Sequence, residues 1–298
     1  MFSRRATLGG LIALTSPSLA LAQIDQVLTD PPHDPDHPAR MEAVRIPTHG
    51  MAMNGVFYLA SGAGEHPTMI FFKGQPGNEQ SLDLAQAVRR LGWNVLTMHS
   101  RGAWGSPGAY SYAHLIEDGL AALAFVRDPR ARRDYGIDPE RIVLAGHSTG
   151  GFVAVNTAAR AAPVAGLVLI SASDDAQEAL DAQGDAKKWQ AFMANEFDGL
   201  DGLAGCTPKG LARELLAHGR DWTFAAAVPR LGQIPMLIVT ADDGLAQESN
   251  GFGQKVEASG GRKPSYAHFN TDHPYSDRRI ALQEAVASWL EANVKPSA

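Results

Sequence analysis

Cysteine is nearly missing from this 298-residue chain: Cys206 stands alone, so no internal disulfide can staple the fold. Long apolar runs are scarce as well. The one non-periodic stretch, from about Leu8 to Ala22, is shorter than the roughly 20 residues a membrane-spanning helix needs, which excludes a polytopic membrane protein and any stable membrane insertion. Positive charge is outnumbered, 26 Lys and Arg against 32 Asp and Glu for a formal net charge of −6, so the chain lacks the electrostatic footprint of a nucleic-acid binder. Charged residues are few at 19%, but 45% are hydrophobic, which excludes global disorder and supplies one substantial core. No internal repeat or heptad run is evident.

What is there begins with an address. Ser3-Arg4-Arg5-Ala6-Thr7-Leu8 sets a twin arginine ahead of the apolar run, which closes in Ala20-Leu21-Ala22 before Gln23. Charged, apolar and small-residue segments in that order make residues 1–22 a cleavable export signal. The Arg pair resembles the twin-arginine type, with an ordinary Sec signal or an uncleaved anchor as the alternative, and the twin-arginine or Sec export machinery becomes a partner. Cleavage removes two arginines and no acid, leaving a more acidic soluble protein, periplasmic or secreted. Residues 23–41 are Pro-rich and read as an extended arm. His33, Asp34, Asp36 and His37 within it are expected to be solvated rather than a metal site, because no rigid element would fix their distances.

From residue 42 onward short β-rich runs alternate with helical periods. Near-continuous apolar strands such as Ile142-Val143-Leu144-Ala145 and Leu167-Val168-Leu169-Ile170 predict an α/β fold with a mostly parallel sheet covered by helices on both faces. Two early β runs with no helix between them predict an antiparallel hairpin. The core is expected over 42–172 and 234–298. Between them, residues 173–233 break the alternation with helix-like sequence too long for a connection, which predicts a helical cap over the carboxyl ends of the strands, its aromatics mostly packing internally. The run Arg127 to Asp134 is expected to be a solvated loop.

The strongest chemical signal is Arg141-Ile142-Val143-Leu144-Ala145-Gly146-His147-Ser148-Thr149-Gly150-Gly151. A buried strand running through Gly-x-Ser-x-Gly into a helix is the context of a nucleophile elbow. A serine hydroxyl is a weak nucleophile unless a base can reach it at a sharp turn, and the two glycines leave room for one. The helix that follows aims its positive end at the site, favouring a developing oxyanion. One donor to that oxyanion should be the N–H of Thr149, and the second an N–H from the loop after Thr68 to Phe72.

These residues resemble the α/β-hydrolase superfamily, in its serine esterase and serine peptidase branches. The resemblance runs from about residue 42 to the end, through Phe72 to Asn78, Ser100 to Ser106, Gly146 to Gly151, Thr240 to Gly244 and Asp272-His273. It implies an acid at the end of the strand Met236 to Thr240, where either Asp242 or Asp243 can serve and spacing favours Asp243. It implies His273 as the base, with His268 in the preceding strand as competitor, and Gln75 as the second oxyanion donor. Lys73 departs from the His-Gly of many relatives, and is expected to reach solvent or pair with an acid. Arg101 is expected to brace loops.

The implied activity is hydrolysis of carboxylic esters through an acyl-enzyme, with a small-molecule ester as substrate and no cofactor or metal. A peptidase or amidase acting on short peptides would share the triad, as would a cofactor-free perhydrolase. A non-enzymatic binding protein of this fold is disfavoured by the complete triad, and a haloalkane dehalogenase by Ser148 in place of Asp.

Overall fold

The computed structural model describes residues 27–197 and 199–294; the expected export signal, residues 1–22, lies outside them. Strands β1 (Arg40–Thr48) and β2 (Met51–Leu59) form the expected antiparallel hairpin. His49 and Gly50 turn it, both at positive φ (43° and 76°), the conformation that lets a two-residue turn follow the twist of its strands. β1 begins at Arg40, inside the stretch expected to be arm. The arm is not all surface either: Val27 is buried, and its carbonyl accepts from Arg90.

Six further strands complete an eight-stranded sheet: β3 (His66–Phe72), β4 (Asn94–His99), β5 (Ile137–His147), β6 (Gly166–Ile170), β7 (Met236–Ala241) and β8 (Ser265–Phe269). Their order is β1-β2-β4-β3-β5-β6-β7-β8, parallel from β4 to β8. Burial follows position. In β1, at the edge, Val44, Ile46 and Thr48 are buried and alternate with exposed residues, whereas all five residues of the internal β6 are buried. A strand covered on both faces must be apolar at every position, which is why β6 reads as a continuous run.

One face is covered by α1 (Leu82–Arg90) and α10 (Arg279–Asn293), and the other by α2 (Tyr112–Arg127), α4 (Thr149–Arg160) and α9 (Ala246–Ala258). The segment Arg127 to Asp134 is not a loop. Most of it forms α3 (Pro129–Tyr135), because Asp128 caps the first turn, accepting from Arg130 N at 2.8 Å, Pro129 fits the first helical position, and Gly136 closes the helix at φ 59°. Behind β4, Arg101 does brace its loop: its Nε donates to Asp118 Oδ1 at 2.6 Å and its backbone N–H to Asp118 Oδ2 at 2.7 Å, with both side chains buried.

The cap lies between β6 and β7 as α5 (Asp175–Ala182), α6 (Ala186–Phe197), α7 (Pro208–Trp222) and α8 (Phe224–Leu231). Asp174, Thr207 and Thr223 cap the first, third and fourth of these. Its aromatics pack internally and onto the core, Phe192 edge-on to Phe197 and Trp222 edge-on to Phe152 of α4. The cap is also tied down by backbone: Ala204 N donates to Gly102 O at 2.7 Å and Tyr110 N to Ala204 O at 2.8 Å.

Candidate active site

Ser148 sits at the sharp turn between β5 and α4, at φ 57° and ψ −130°. A non-glycine residue held at positive φ is strained, and such strain persists only where its surroundings enforce it. Here the surroundings are close. A Cβ on Gly146 would lie 2.0 Å from Gly150 O, and one on Gly150 would lie 2.0 Å from Phe72 O, so neither position admits a side chain. The Ser148 carbonyl accepts from Gly151 N at 2.7 Å and its N–H donates to Ile170 O at 3.0 Å. A Cβ on Gly74 would lie 2.9 Å from Ser148 Cβ, so the loop after β3 presses its bare backbone against the serine.

The two aspartates after β7 separate clearly. Asp243 is buried, with 2% of its side chain exposed, and its Oδ2 lies 2.8 Å from His273 Nδ1. Burial alone would raise its pKa; hydrogen bonds from His273, the Ser171 hydroxyl and Leu245 N–H outweigh that and bring it to about 2. It is therefore a fixed anion. Tyr275 OH meets Ser171 Oγ at 2.9 Å, extending the chain of hydroxyls behind the carboxylate. Asp242 points elsewhere: its side chain is 58% exposed and its Oδ1 lies 3.2 Å from Nε2 of His268, the competing histidine. His268 Nδ1 in turn meets Thr240 Oγ1 at 2.9 Å.

His147 carries a role that sequence reasoning missed, since the motif leaves its position open. Its Nε2 donates to the His273 carbonyl at 2.9 Å and its ring lies 4.5 Å from the His273 ring. Burial, helped by His273, lowers its pKa to about 4, so it stays neutral and supports the loop that carries the base.

Thr149 opens α4, so its N–H has no acceptor within the helix and is available to an oxyanion. Its hydroxyl donates to Asp175 Oδ1 at 3.3 Å. Gln75 follows Gly74 in the loop that faces Ser148, and its side chain ties that loop to the cap through a 2.6 Å bond from Nε2 to Glu196 O. Lys73 contradicts expectation. Instead of reaching solvent or an acid, its ammonium contacts Nδ1 of His99 and lies 5.5 Å from the centroid of the Trp104 ring.

Above Thr149 stands a group of carboxyls that the sequence did not reveal. Asp175 is fully buried, and burial together with Glu196 and Glu178 raises its pKa far above the usual range. Burial and like charge push Glu196 up to about 8 and Glu248 of α9 up to about 9, while burial brings Asp174 to about 7. Close carboxyls can share a hydrogen bond only if one keeps its proton, which these shifts permit.

A carboxylate held on an imidazole nitrogen, a serine strained at a sharp turn against the bare backbone of Gly74, and a helix-opening N–H at Thr149 are groups of the kind that acyl transfer uses. The comparisons agree with the fold. A family model described as alpha/beta hydrolase fold matches residues 105–276. An esterase from Pyrobaculum calidifontis superposes with a TM-score of 0.62 at 20% identity, covering 92% of this chain and 90% of that one. The acylaminoacyl peptidase of Pyrococcus horikoshii superposes with a TM-score of 0.65 at 14% identity, over 87% of this chain and 42% of that one. At these identities the likeness is one of fold. A multifunctional-autoprocessing repeats-in-toxin protein of Vibrio cholerae is 24% identical over 240 residues, 77% of this chain; the chain spans about 5% of that toxin's length.

Proposed function

This chain belongs to the α/β-hydrolase fold family, and from that premise we propose that it is a serine hydrolase cleaving small carboxylic esters through an acyl-enzyme at Ser148. The observation that carries the reading is the 2.8 Å contact between His273 Nδ1 and the Asp243 carboxylate, together with a serine held at φ 57°. Asp243 fixes the ring so that Nε2 is the basic nitrogen. Ser148 Oγ attacks the ester carbonyl carbon while Nε2 takes its proton. The carbonyl oxygen becomes an oxyanion and accepts from the N–H groups of Thr149 and Gln75. The tetrahedral species expels the alcohol, which receives the proton from His273. Water then attacks the acyl-enzyme by the same route and releases the carboxylic acid.

The test is fluorophosphonate labelling of the purified protein. The expected result is one label, on Ser148, lost in Ser148→Ala; an unlabelled wild type or a labelled Ser148→Ala protein overturns the mechanism. Turnover of p-nitrophenyl esters against aminoacyl anilides then ranks ester over amide bonds, and anilide turnover alone reverses that order. The twin arginine and apolar run of residues 3–22 support a second element of the proposal, export to the periplasm or medium through the twin-arginine or Sec machinery. Fractionation of cells carrying the full chain tests it, with Arg4→Lys/Arg5→Lys expected to retain the protein in the cytoplasm.

A further inference from the structure

Side-chain alternation turns Arg45 of β1, Val56 and Tyr58 of β2, Thr97 and His99 of β4, and Phe71 of β3 to one face of the sheet, and Lys73 follows Phe71 onto it. Near the start of α1 they line a cavity of about 460 Å³. That volume falls within the usual range of small-molecule sites. Its charges are one-sided. Among the described residues the lining holds Lys73, Arg45 and His99 and no carboxylate. Arg45 is engaged with the Asn54 side-chain oxygen, a neutral partner. The Lys73 side chain is folded under the following loop, where a Cβ on Gly77 would come within 2.8 Å of its Cε. Burial lowers the pKa of its amine to about 7, with no acid acting on it. Burial, followed by the charge of Lys73, brings His99 to about 4, so the imidazole is a neutral acceptor for the ammonium rather than a counter-charge.

Partial burial disfavours the charged form of the Lys73 amine, and a ligand that brings an anion favours it again. Phe71, Val56 and the half-exposed indole of Trp104 supply apolar surface, beside the polar side chains of Asn54, Gln80 and Thr97. We propose that this cavity binds a small organic carboxylate, its anionic end on Lys73 and its apolar body against Phe71, Val56 and Trp104. Neither Gly74 nor Ser148 lines this cavity; Lys73 precedes Gly74 in the chain, and Gly74 in turn abuts Ser148. The site is independent of the esterase reading. Where that reading holds, the acid released at Ser148 belongs to the class this cavity accepts.

The probe is 2-naphthoate, titrated calorimetrically into the full-length Ser148→Ala protein, with 2-naphthylmethanol as its uncharged counterpart. Naphthoate is expected to bind at one site, at least tenfold more tightly than the alcohol, and to protect Lys73 from amine acylation read by peptide mass spectrometry. Lys73→Met should weaken naphthoate at least tenfold. Equal binding of acid and alcohol, unchanged acylation of Lys73, or no binding overturns the proposal; all three readouts work on protein with Lys73 intact, so they stand even if Lys73→Met does not fold. Inorganic phosphate binding as tightly as naphthoate would overturn the apolar part of the assignment. Because Ser148 is already removed, loss of the esterase mechanism would leave these outcomes unchanged.

Discussion

Asp243 and Asp118 in the core are met by donors, while Glu178, Glu196 and Glu248, between the cap and α9, are met mostly by other carboxyls. Asp243 accepts from His273 and from Leu245 N–H, and Asp118 accepts from the side chain and backbone of Arg101 and from Thr48. Asp174 accepts from Gln177 and Phe224 N–H and Asp175 from the Thr149 and Ser173 hydroxyls, but Glu178 and Glu196 of the cap crowd with them and with Glu248 of α9, and all five are pushed toward the neutral form. Asp243 is thus a fixed anion, whereas the carboxyls of the cap and α9 are proton-holding groups. Geometry makes the difference: strand ends and loops bring N–H groups to Asp243 and Asp118, whereas Glu178, Glu196 and Glu248 come from three helices whose side chains converge.

The largest expected effect tests the core half. Asp243→Asn should keep the fold and lower kcat on a p-nitrophenyl ester by roughly 10⁴-fold, because the amide favours the wrong imidazole tautomer. A loss below about tenfold would mean that Asp243 is not orienting the base. The next tests pairing without catalysis. Asp118→Ala removes the buried partner of the Arg101 Nε and backbone N–H, leaving the guanidinium Glu117 and the His114 carbonyl, and should lower stability by about 2–3 kcal/mol in chemical denaturation. A cost near zero would show that core carboxylates do not depend on their donors.

The core was legible in the sequence because its constraints are local. Leu167 to Ile170 must be apolar to lie between two helical layers, and Gly146 and Gly150 are required by backbone atoms 2.0 Å from where a side chain would begin. The strand-end position of Asp243 followed from chain order. Other features depend on tertiary partners. Helix α9 was not foreseen, because Gly251 and Gly253 weaken its helical signal. The environments of Lys73 and His147 arise from His99 and His273, distant in sequence. The carboxyl group was illegible for the same reason: each member, read alone, looks like an acid on a solvated helix.

The third expectation tests the cap half through pH. A carboxyl whose folded pKa is raised contributes stability that is complete below its unfolded value, about 4.3 for Glu, and lost as pH rises through its folded value. For Glu196 and Glu248 that places the loss between about pH 4.3 and values near 8 and 9. Asp243 runs the other way: its contribution is present above about pH 3.9 and lost as pH falls through about 2. Hydrogen-exchange protection in α5 and α6, corrected for intrinsic rates, should therefore fall between pH 5.5 and 9 while β5 and β6 hold theirs. Glu196→Gln should flatten that fall and raise Tm at pH 9 without raising it at pH 5. For a chain of this size each kcal/mol recovered is worth roughly 2–4 °C. Equal responses in cap and core would remove the distinction.

The smallest expected effect separates pairing from position. Asp242 stands one residue from Asp243, carries the same chemistry and also contacts a histidine, yet its side chain is 58% exposed and His268 is 46% exposed. An ion pair in that setting is screened by water and contributes at most about 1 kcal/mol. Asp242→Asn should accordingly change kcat by less than about threefold and Tm by no more than about 2–4 °C. His273 keeps its orientation in that variant because its Nδ1 partner is untouched. If Asp242→Asn instead lowered kcat as far as Asp243→Asn, strand-end position rather than the buried contact would define the acid, and the contrast between donor-matched core carboxylates and the cap would lose its catalytic half.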